Sequence, residues 1–314
     1  MDSVKKTKIG PFLIMIASSL WAIDGLFRTQ LTYAIPTASI IFFEHLLGTL
    51  ILLPILYRNV RWIRSYSMDT WKTLLLLTLV SSVLGTILFT QALASSFAYN
   101  DFVTPILLQK LQPIFVVLLS AIFLKERITP QFVFWASLAL VGSYLVSFGT
   151  TPVSLDFTGR SMIYLLAIGA AFCWGTGTIL SKKVLTKIEF PVATALRFLL
   201  AVPISAIFIF ALGESYDFSQ IPHAFMYRFL IIAGVTGGAG AIFLYYRGLQ
   251  VTKAHVATFA ELAFPVVSIL IAVTPLNPYG APQVLSLGNI LGIIVLVGSI
   301  LMISFSSHNT EKTQ

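Results

Sequence analysis

Leu140-Val141-Gly142-Ser143 recurs unchanged as Leu296-Val297-Gly298-Ser299, and each copy lies inside a long apolar run. The match continues outward in the same order. Pro130-Gln131 precedes the first copy and Pro282-Gln283 the second, and 17 residues before each of these prolines stand Pro113 and Pro265. Further upstream, Glu44-His45-Leu46-Leu47-Gly48 occupies the place of Arg197-Phe198-Leu199-Leu200-Ala201. Ile35-Pro36 and Phe190-Pro191 open the runs that hold them, and Trp21 matches Trp174. Five matches in one order make the chain two homologous repeats, 1–150 and 151–314, hinged over Thr150 to Thr158 with Pro152 and Asp156.

The composition sets the solvent. Hydrophobic residues make up 57% of the 314 residues and charged residues 10%, against roughly 25% charged in soluble domains. Ten apolar segments can be marked: 10–27, 36–57, 73–95, 101–123, 131–149, 160–181, 190–212, 227–249, 255–275 and 285–305. Each is long enough to cross a hydrocarbon core of roughly 30 Å as a helix. Backbone groups in lipid must pair internally, and the runs are too long for barrel strands. The expected fold is therefore an all-α membrane protein of ten transmembrane helices. The first segment follows Lys5, Lys6 and Lys8 as a signal peptide would, but no small-residue cleavage site follows it, so it is read as a retained helix.

Lys and Arg counting orients the chain. With the N-terminus in the cytoplasm, fourteen basic residues fall at cytoplasmic ends: Lys5, Lys6, Lys8, Arg58, Arg61, Arg64, Lys72, Lys125, Arg127, Lys182, Lys183, Lys187, Lys253 and Lys312. Three fall opposite, Arg28, Arg160 and Arg228. Both termini are expected in the cytoplasm. Five helices per repeat is an odd number, so the repeats enter the membrane from opposite sides, and inverted repeats place a binding site between them near the midplane. The net charge of +8 is spent on orientation and does not point to nucleic acid.

These features resemble the drug/metabolite transporter superfamily in its EamA-type branch, with two EamA domains. The resemblance is carried by Trp21 and Trp174, by Pro191 followed by Arg197, and by the Pro113 helix leading into Leu124-Lys125-Glu126-Arg127-Ile128-Thr129. The closing glycines Gly292 and Gly298 add to it, and it covers nearly all of residues 10–305. Two departures stand out. Glu44-His45 replaces the Arg-Phe of the second repeat, and Pro275-Leu276-Asn277 replaces the Leu-Lys-Glu-Arg motif of the first. The resemblance implies ten helices around a central cavity, alternating access, and export or import of small organic solutes. It does not fix the substrate.

Ionisable residues inside spans cost about 2.5–3.5 kcal/mol or more at mid-membrane and need a reason. Asp24, Glu44, Glu261, Lys110, Arg197, Arg247 and His45 qualify. Lys110 lies about 14 Å along its helix, near the midplane. Glu261 stands four residues before Pro265, as Gln109 stands four before Pro113, so the repeat puts Gln109-Lys110 and Glu261 at similar depth on facing helices. Each proline frees a carbonyl one turn back. The expected substrate-binding set is Lys110, Glu261, Gln109, Trp21, Trp174, Glu44 and Arg197, and the bland alternative is that buried pairs only hold helices in register. His45, Asp24, Tyr245 and Arg247 are candidates for gating or proton-linked roles. An unperturbed histidine titrates near neutrality, which makes His45 a candidate; Asp24 could pair with Arg28 at the outer surface, and Arg247 can snorkel. Gly237-Gly238-Ala239-Gly240-Ala241 reads as close helix packing or a hinge.

No phosphate loop, nucleotide-binding domain or nucleophile elbow is present. The four histidines are scattered, His308 among them in the tail, and Cys173 is alone, so neither a cofactor nor a metal is expected. The partners expected are a small-molecule substrate and the lipid bilayer of the cell membrane, with no nucleic acid; proton coupling is a candidate and the oligomeric state stays open. The reading is a secondary or facilitated transporter, foremost an exporter of amino acids or related zwitterions. A hydrophobic-cation exporter or a nutrient importer of the same fold is the alternative. An intramembrane enzyme or a receptor belongs to another class and lacks the catalytic pair or the long loops it would need.

Overall fold

The computed structural model describes residues 2–32, 34–96, 99, 103–153, 155, 158–214, 223–278 and 280–310, with side chains for these except 2–8, 103, 223–224 and 307–310. Asp156 and Lys312 lie outside the described residues, as do the side chains of Lys5, Lys6, Lys8 and His308.

The described residues are helical and carry ten spans long and apolar enough to cross a membrane. They are α1 (Ile9–Thr32), α2 (Thr37–Arg58), α3 (Met68–Ser96), α4 (Thr104–Phe123), α5 (Pro130–Phe148), α6 (Ser161–Leu185), α7 (Phe190–Ala211), α8 (Phe225–Val251), α9 (Ala254–Ala272) and α10 (Leu287–Ser306). Several run past the apolar segments that announce them. The Ser67 hydroxyl accepts the Thr70 N–H at 3.3 Å, so α3 starts a turn before its apolar run. α6 continues through Lys182, whose ammonium donates to the carbonyls of Leu249 at 2.7 Å, Gln250 at 3.2 Å and Thr252 at 2.6 Å. These are the open carbonyls at the end of α8, which a cation satisfies best.

The contacts between spans keep their pattern when the two repeats are exchanged. α1 packs on α8 and α9, and its counterpart α6 packs on α3 and α4. α2 packs on α7, and α5 on α10, each span against its own equivalent. The halves of the sequence are therefore interleaved in space. Small residues permit the closest crossings. A Cβ on Gly142 would lie 2.7 Å from the Leu296 nitrogen, and one on Gly292 would lie 2.5 Å from the Val146 nitrogen. Gly298 has nothing within 4 Å of that position. The two glycines of the repeated Leu-Val-Gly-Ser stretch thus do different work, and Gly292 takes the role at the α5–α10 crossing.

Two devices recur in both halves. The fourth span of each repeat is broken before its proline: α4 between Val103–Gln109 and Gln112–Phe123, α9 between Ala254–Ala260 and Ala263–Ala272. Pro113 and Pro265 lack the N–H that would continue the ladder to Gln109 and Glu261. The third span of each repeat carries a wide turn with π-helical hydrogen bonding, Thr78–Leu84 in α3 and Ile232–Thr236 in α8. Such turns re-aim side chains and gather at functional sites.

The loop after α4 ties the repeats together. Lys125 takes a left-handed conformation (φ 54), and Glu126 then accepts the N–H of Ala254 at 2.8 Å, the N–H of His255 at 3.1 Å and the His255 ring at 2.5 Å. Burial pushes the Glu126 carboxyl up; the His255 ring and the Ala254 N–H outweigh it and hold the group below the usual carboxylate range. The Leu-Lys-Glu-Arg motif is thus the cap of α9. From the second repeat, Glu214 accepts the N–H groups of Ala38 and Ser39, both at 3.0 Å, and caps α2.

Candidate functional site

Glu261 sits in the break of α9, the point where a helix can turn a side chain away from its own axis. One carboxylate oxygen accepts the Tyr245 hydroxyl of α8 at 2.7 Å, and the other accepts the Gln112 amide of α4 at 3.1 Å. Gln112 stands at the matching break in α4, and its amide oxygen faces the Gln109 amide at 3.4 Å. Thr178 of α6 meets the Tyr245 hydroxyl at 3.3 Å. The Trp21 ring of α1 lies against Tyr245 with centroids 5.2 Å apart. Five spans therefore converge on one carboxylate whose bonded partners are all neutral.

Lys110 is not one of them. Its ammonium donates to Ser143 of α5 at 3.2 Å, and no ion pair joins it to Glu261. The facing depth expected of the two residues does not bring them into a pair. Trp174 also stands apart: its ring packs on Phe89 at 5.3 Å and over Gly85, where a Cβ would lie 2.9 Å from the indole nitrogen. Trp21 on Tyr245 and Trp174 on Phe89 use corresponding spans of the two repeats, α1 with α8 and α6 with α3.

A second polar cluster gathers Arg28, Asp24 and Glu44. Arg28 pairs with Asp24 one turn back and with Glu44 of α2 at 3.0 Å, and Thr236, at the end of the wide turn in α8, donates to Asp24 at 2.8 Å. Asp24 is 5% exposed and Glu44 7%, while the Arg28 side chain keeps 26%; the pair expected between Asp24 and Arg28 is present and extends to Glu44 of α2. Gly237 makes room for it, since a Cβ there would lie 2.6 Å from Asp24. That is the work of the first glycine in the α8 run.

A third cluster surrounds Arg197 of α7. Its guanidinium donates to Ser82 at 2.6 Å, Tyr246 at 2.9 Å and Ser81 at 3.0 Å. Ser181 of α6 meets the Tyr246 hydroxyl at 3.0 Å. His45 joins neither charged cluster by a hydrogen bond; its ring nitrogen bonds the Ile41 carbonyl of its own helix at 2.8 Å and its ring packs on Phe198 at 4.9 Å. Arg247 is exposed.

Sequence reading missed Gln112, Thr178, Ser81, Ser82, Ser143, Ser181 and Thr236. Each is a polar residue in an apolar run, and only Gln112 carries a local signal, standing directly before Pro113. Among the described residues no group of three or more His, Cys, Asp or Glu is placed to hold a metal.

Set beside known proteins, the chain matches the sequence profile described as the EamA-like transporter family over residues 8–148 and 161–305. It is 33% identical over 300 residues to the riboflavin transporter ImpX of Fusobacterium nucleatum subsp. nucleatum, covering 94% of this chain and 95% of that protein. A protein of known crystal structure superposes with a TM-score of 0.75 at 17% identity, over 98% of this chain and 99% of the other, and is similar in fold alone.

Proposed function

We propose, from the premise that this chain belongs to the EamA-like transporter family, that it carries a flat heteroaromatic solute with hydroxyl groups, riboflavin foremost, by alternating access at the Glu261 centre. Membrane transport of small molecules, in place of catalysis, follows from the family and the similar transporter. The finer reading is carried by one observation: Glu261 is bonded only by neutral groups, and the residues beside it are amides, hydroxyls and the paired rings of Trp21 and Tyr245. Amides and hydroxyls match the imide edge and polyol of a flavin, and the rings offer a stacking face. Its similarity to ImpX over nearly the full length of both chains supports the same solute class.

An exporter of amino acids or related zwitterions is the second reading. It is favoured by the separation of Lys110 from Glu261, which leaves each charge without an ionic partner and so open to a carboxylate and an ammonium. Purified protein in liposomes, offered riboflavin and a panel of amino acids on either side with and without a pH gradient, separates the two. Saturable riboflavin uptake is expected. Counterflow of amino acids with no riboflavin movement would overturn the flavin reading, and a pH-gradient dependence would add the proton coupling proposed for His45.

The membrane proposed is the cell membrane, with both termini on the cytoplasmic side. The fourteen-to-three division of Lys and Arg supports it. A cysteine placed within 60–70 should resist a membrane-impermeant thiol reagent in intact cells, and should react once the cells are opened. Reaction from outside in intact cells reverses the topology.

A further inference from the structure

Arg197 is the buried cation of this bundle that the transport reading leaves unexplained. It is 8% exposed and makes no ion pair among the described residues, which places an uncompensated charge where one is costly. Its partners are three hydroxyls. A guanidinium has five N–H donors, and three are placed on Ser82, Ser81 and Tyr246, so two stay free. The hydroxyls of Ser81 and Ser82 receive from Arg197 and so keep their own protons to give. Neither donates to a described residue in turn, as a mid-helix serine ordinarily does to the carbonyl one turn back. The wide turn in α3 is what aims both consecutive serines at one guanidinium.

The cluster therefore holds a surplus of donors and one positive charge, and lacks an acceptor. Arg197, Ser81 and Ser82 keep 6–8% exposure, whereas Tyr246 behind them is sealed at 0%. Gly177 of α6 shapes the floor, because a Cβ there would overlap the Ser81 hydroxyl at 2.4 Å. Tyr246 neighbours Tyr245, with ring centroids 6.0 Å apart, so the cluster lies one residue from the hydroxyl that binds Glu261.

We propose that Arg197, Ser81 and Ser82 form an anion-binding site, separate from the Glu261 centre, that takes a small anion either as a free ion or as a carboxylate or phosphate borne by a solute. The site does not depend on which solute the Glu261 centre accepts. It would neutralise Arg197, and through Tyr246 its occupancy would be felt at Tyr245.

The test uses the full chain in detergent, melted in the sodium salt of the bulky sulfonate MES, with chloride, and separately inorganic phosphate, replacing the sulfonate at constant ionic strength. The wild-type midpoint should rise saturably, by about 2–4 °C or more. The Ser81→Ala/Ser82→Ala variant, which removes two hydroxyls without adding bulk, should lose that rise while still melting cooperatively, and Arg197→Lys should weaken it. An identical rise in the double variant, or a salt response in the wild type that never saturates, overturns the proposal. In liposomes, chloride that is required for uptake of a neutral solute identifies a free ion. Chloride that competes with an anionic solute identifies the solute's own group.

Discussion

Glu261→Ala should abolish uptake in liposomes while the protein still inserts and purifies as a monodisperse species. The carboxylate is the common acceptor for Tyr245 and Gln112, so its loss frees both from the places where α8 and α4 meet α9. Hydrogen bonds to an ionised group contribute about 1.5–3 kcal/mol each and about 1.4 kcal/mol is tenfold, so two lost links predict a fall of roughly 100-fold or more. Insertion is unharmed because removing an acid from a span makes insertion easier. Glu261→Gln keeps the shape and one acceptor oxygen, and should fall by only about tenfold, the loss of one such link. Lys110→Met should also impair uptake. Because Lys110 bonds Ser143 and not Glu261, combining Lys110→Met with Glu261→Gln should compound the losses. Recovery of transport in the double variant would show that the two residues are a structural pair after all. Normal riboflavin uptake by Glu261→Ala would remove this carboxylate from the site.

Gly142→Leu should have the largest effect on folding of any change to the repeated Leu-Val-Gly-Ser stretch. A Cβ at Gly142 meets the nitrogen and Cα of Leu296, which are backbone and cannot turn aside. α5 and α10 would have to separate, and Gly292 on the other helix is pressed against Val146 in the same way. Overpacking of this kind costs about 1–3 kcal/mol, more where only backbone can yield. The thermal midpoint in detergent should drop by several degrees, at about 2–4 °C per kcal/mol, or folded protein should not be recovered. Gly298→Leu, in the identical tetrapeptide, meets nothing within 4 Å of its Cβ position and should melt close to the wild type. Equal melting of the Gly142 and Gly298 variants would mean that the crossing is not where the structure places it.

The contrast between those two glycines marks what the sequence could and could not tell. Hydropathy and repeat order locate ten spans, and Pro113 and Pro265 mark where a carbonyl one turn back goes free, because helix length and the missing proline N–H are local properties; that the helices break there is seen only in the structure. Rotation about a helix axis is less legible. Gln109 reaches Gln112, which bonds Glu261, whereas Lys110, inside the break between Gln109 and Gln112, reaches Ser143 of α5 instead. Depth alone made Lys110 and Glu261 look like partners. Arg28 misled for a different reason. It falls just past the apolar run 10–27 and counts as a surface charge, yet α1 continues to Thr32 and carries it, 26% exposed, onto Glu44 of α2. The serines of α3 were invisible because two hydroxyls hardly change the hydropathy of a span. Their meaning comes from Arg197 on a helix far along the chain.

The interleaving of the repeats also sets an order in time. α1 packs on α8 and α9, which begin about 190 and about 220 residues after it ends. At about 5–20 residues per second of synthesis, the first helix made waits roughly 10–40 s for the surfaces that cover it. Two buried carboxylates and an arginine would be exposed to lipid for that interval if they depended on distant partners. They do not: Asp24 and Arg28 share a helix, and Glu44 arrives on the next, so the opening hairpin brings its own counter-charges into the bilayer. Arg197 emerges late and finds Ser81 and Ser82 already made. The nascent chain therefore meets these two clusters differently: Asp24, Arg28 and Glu44 pair within the first hairpin, and Arg197 is received by hydroxyls that cost little to hold in the membrane while they wait.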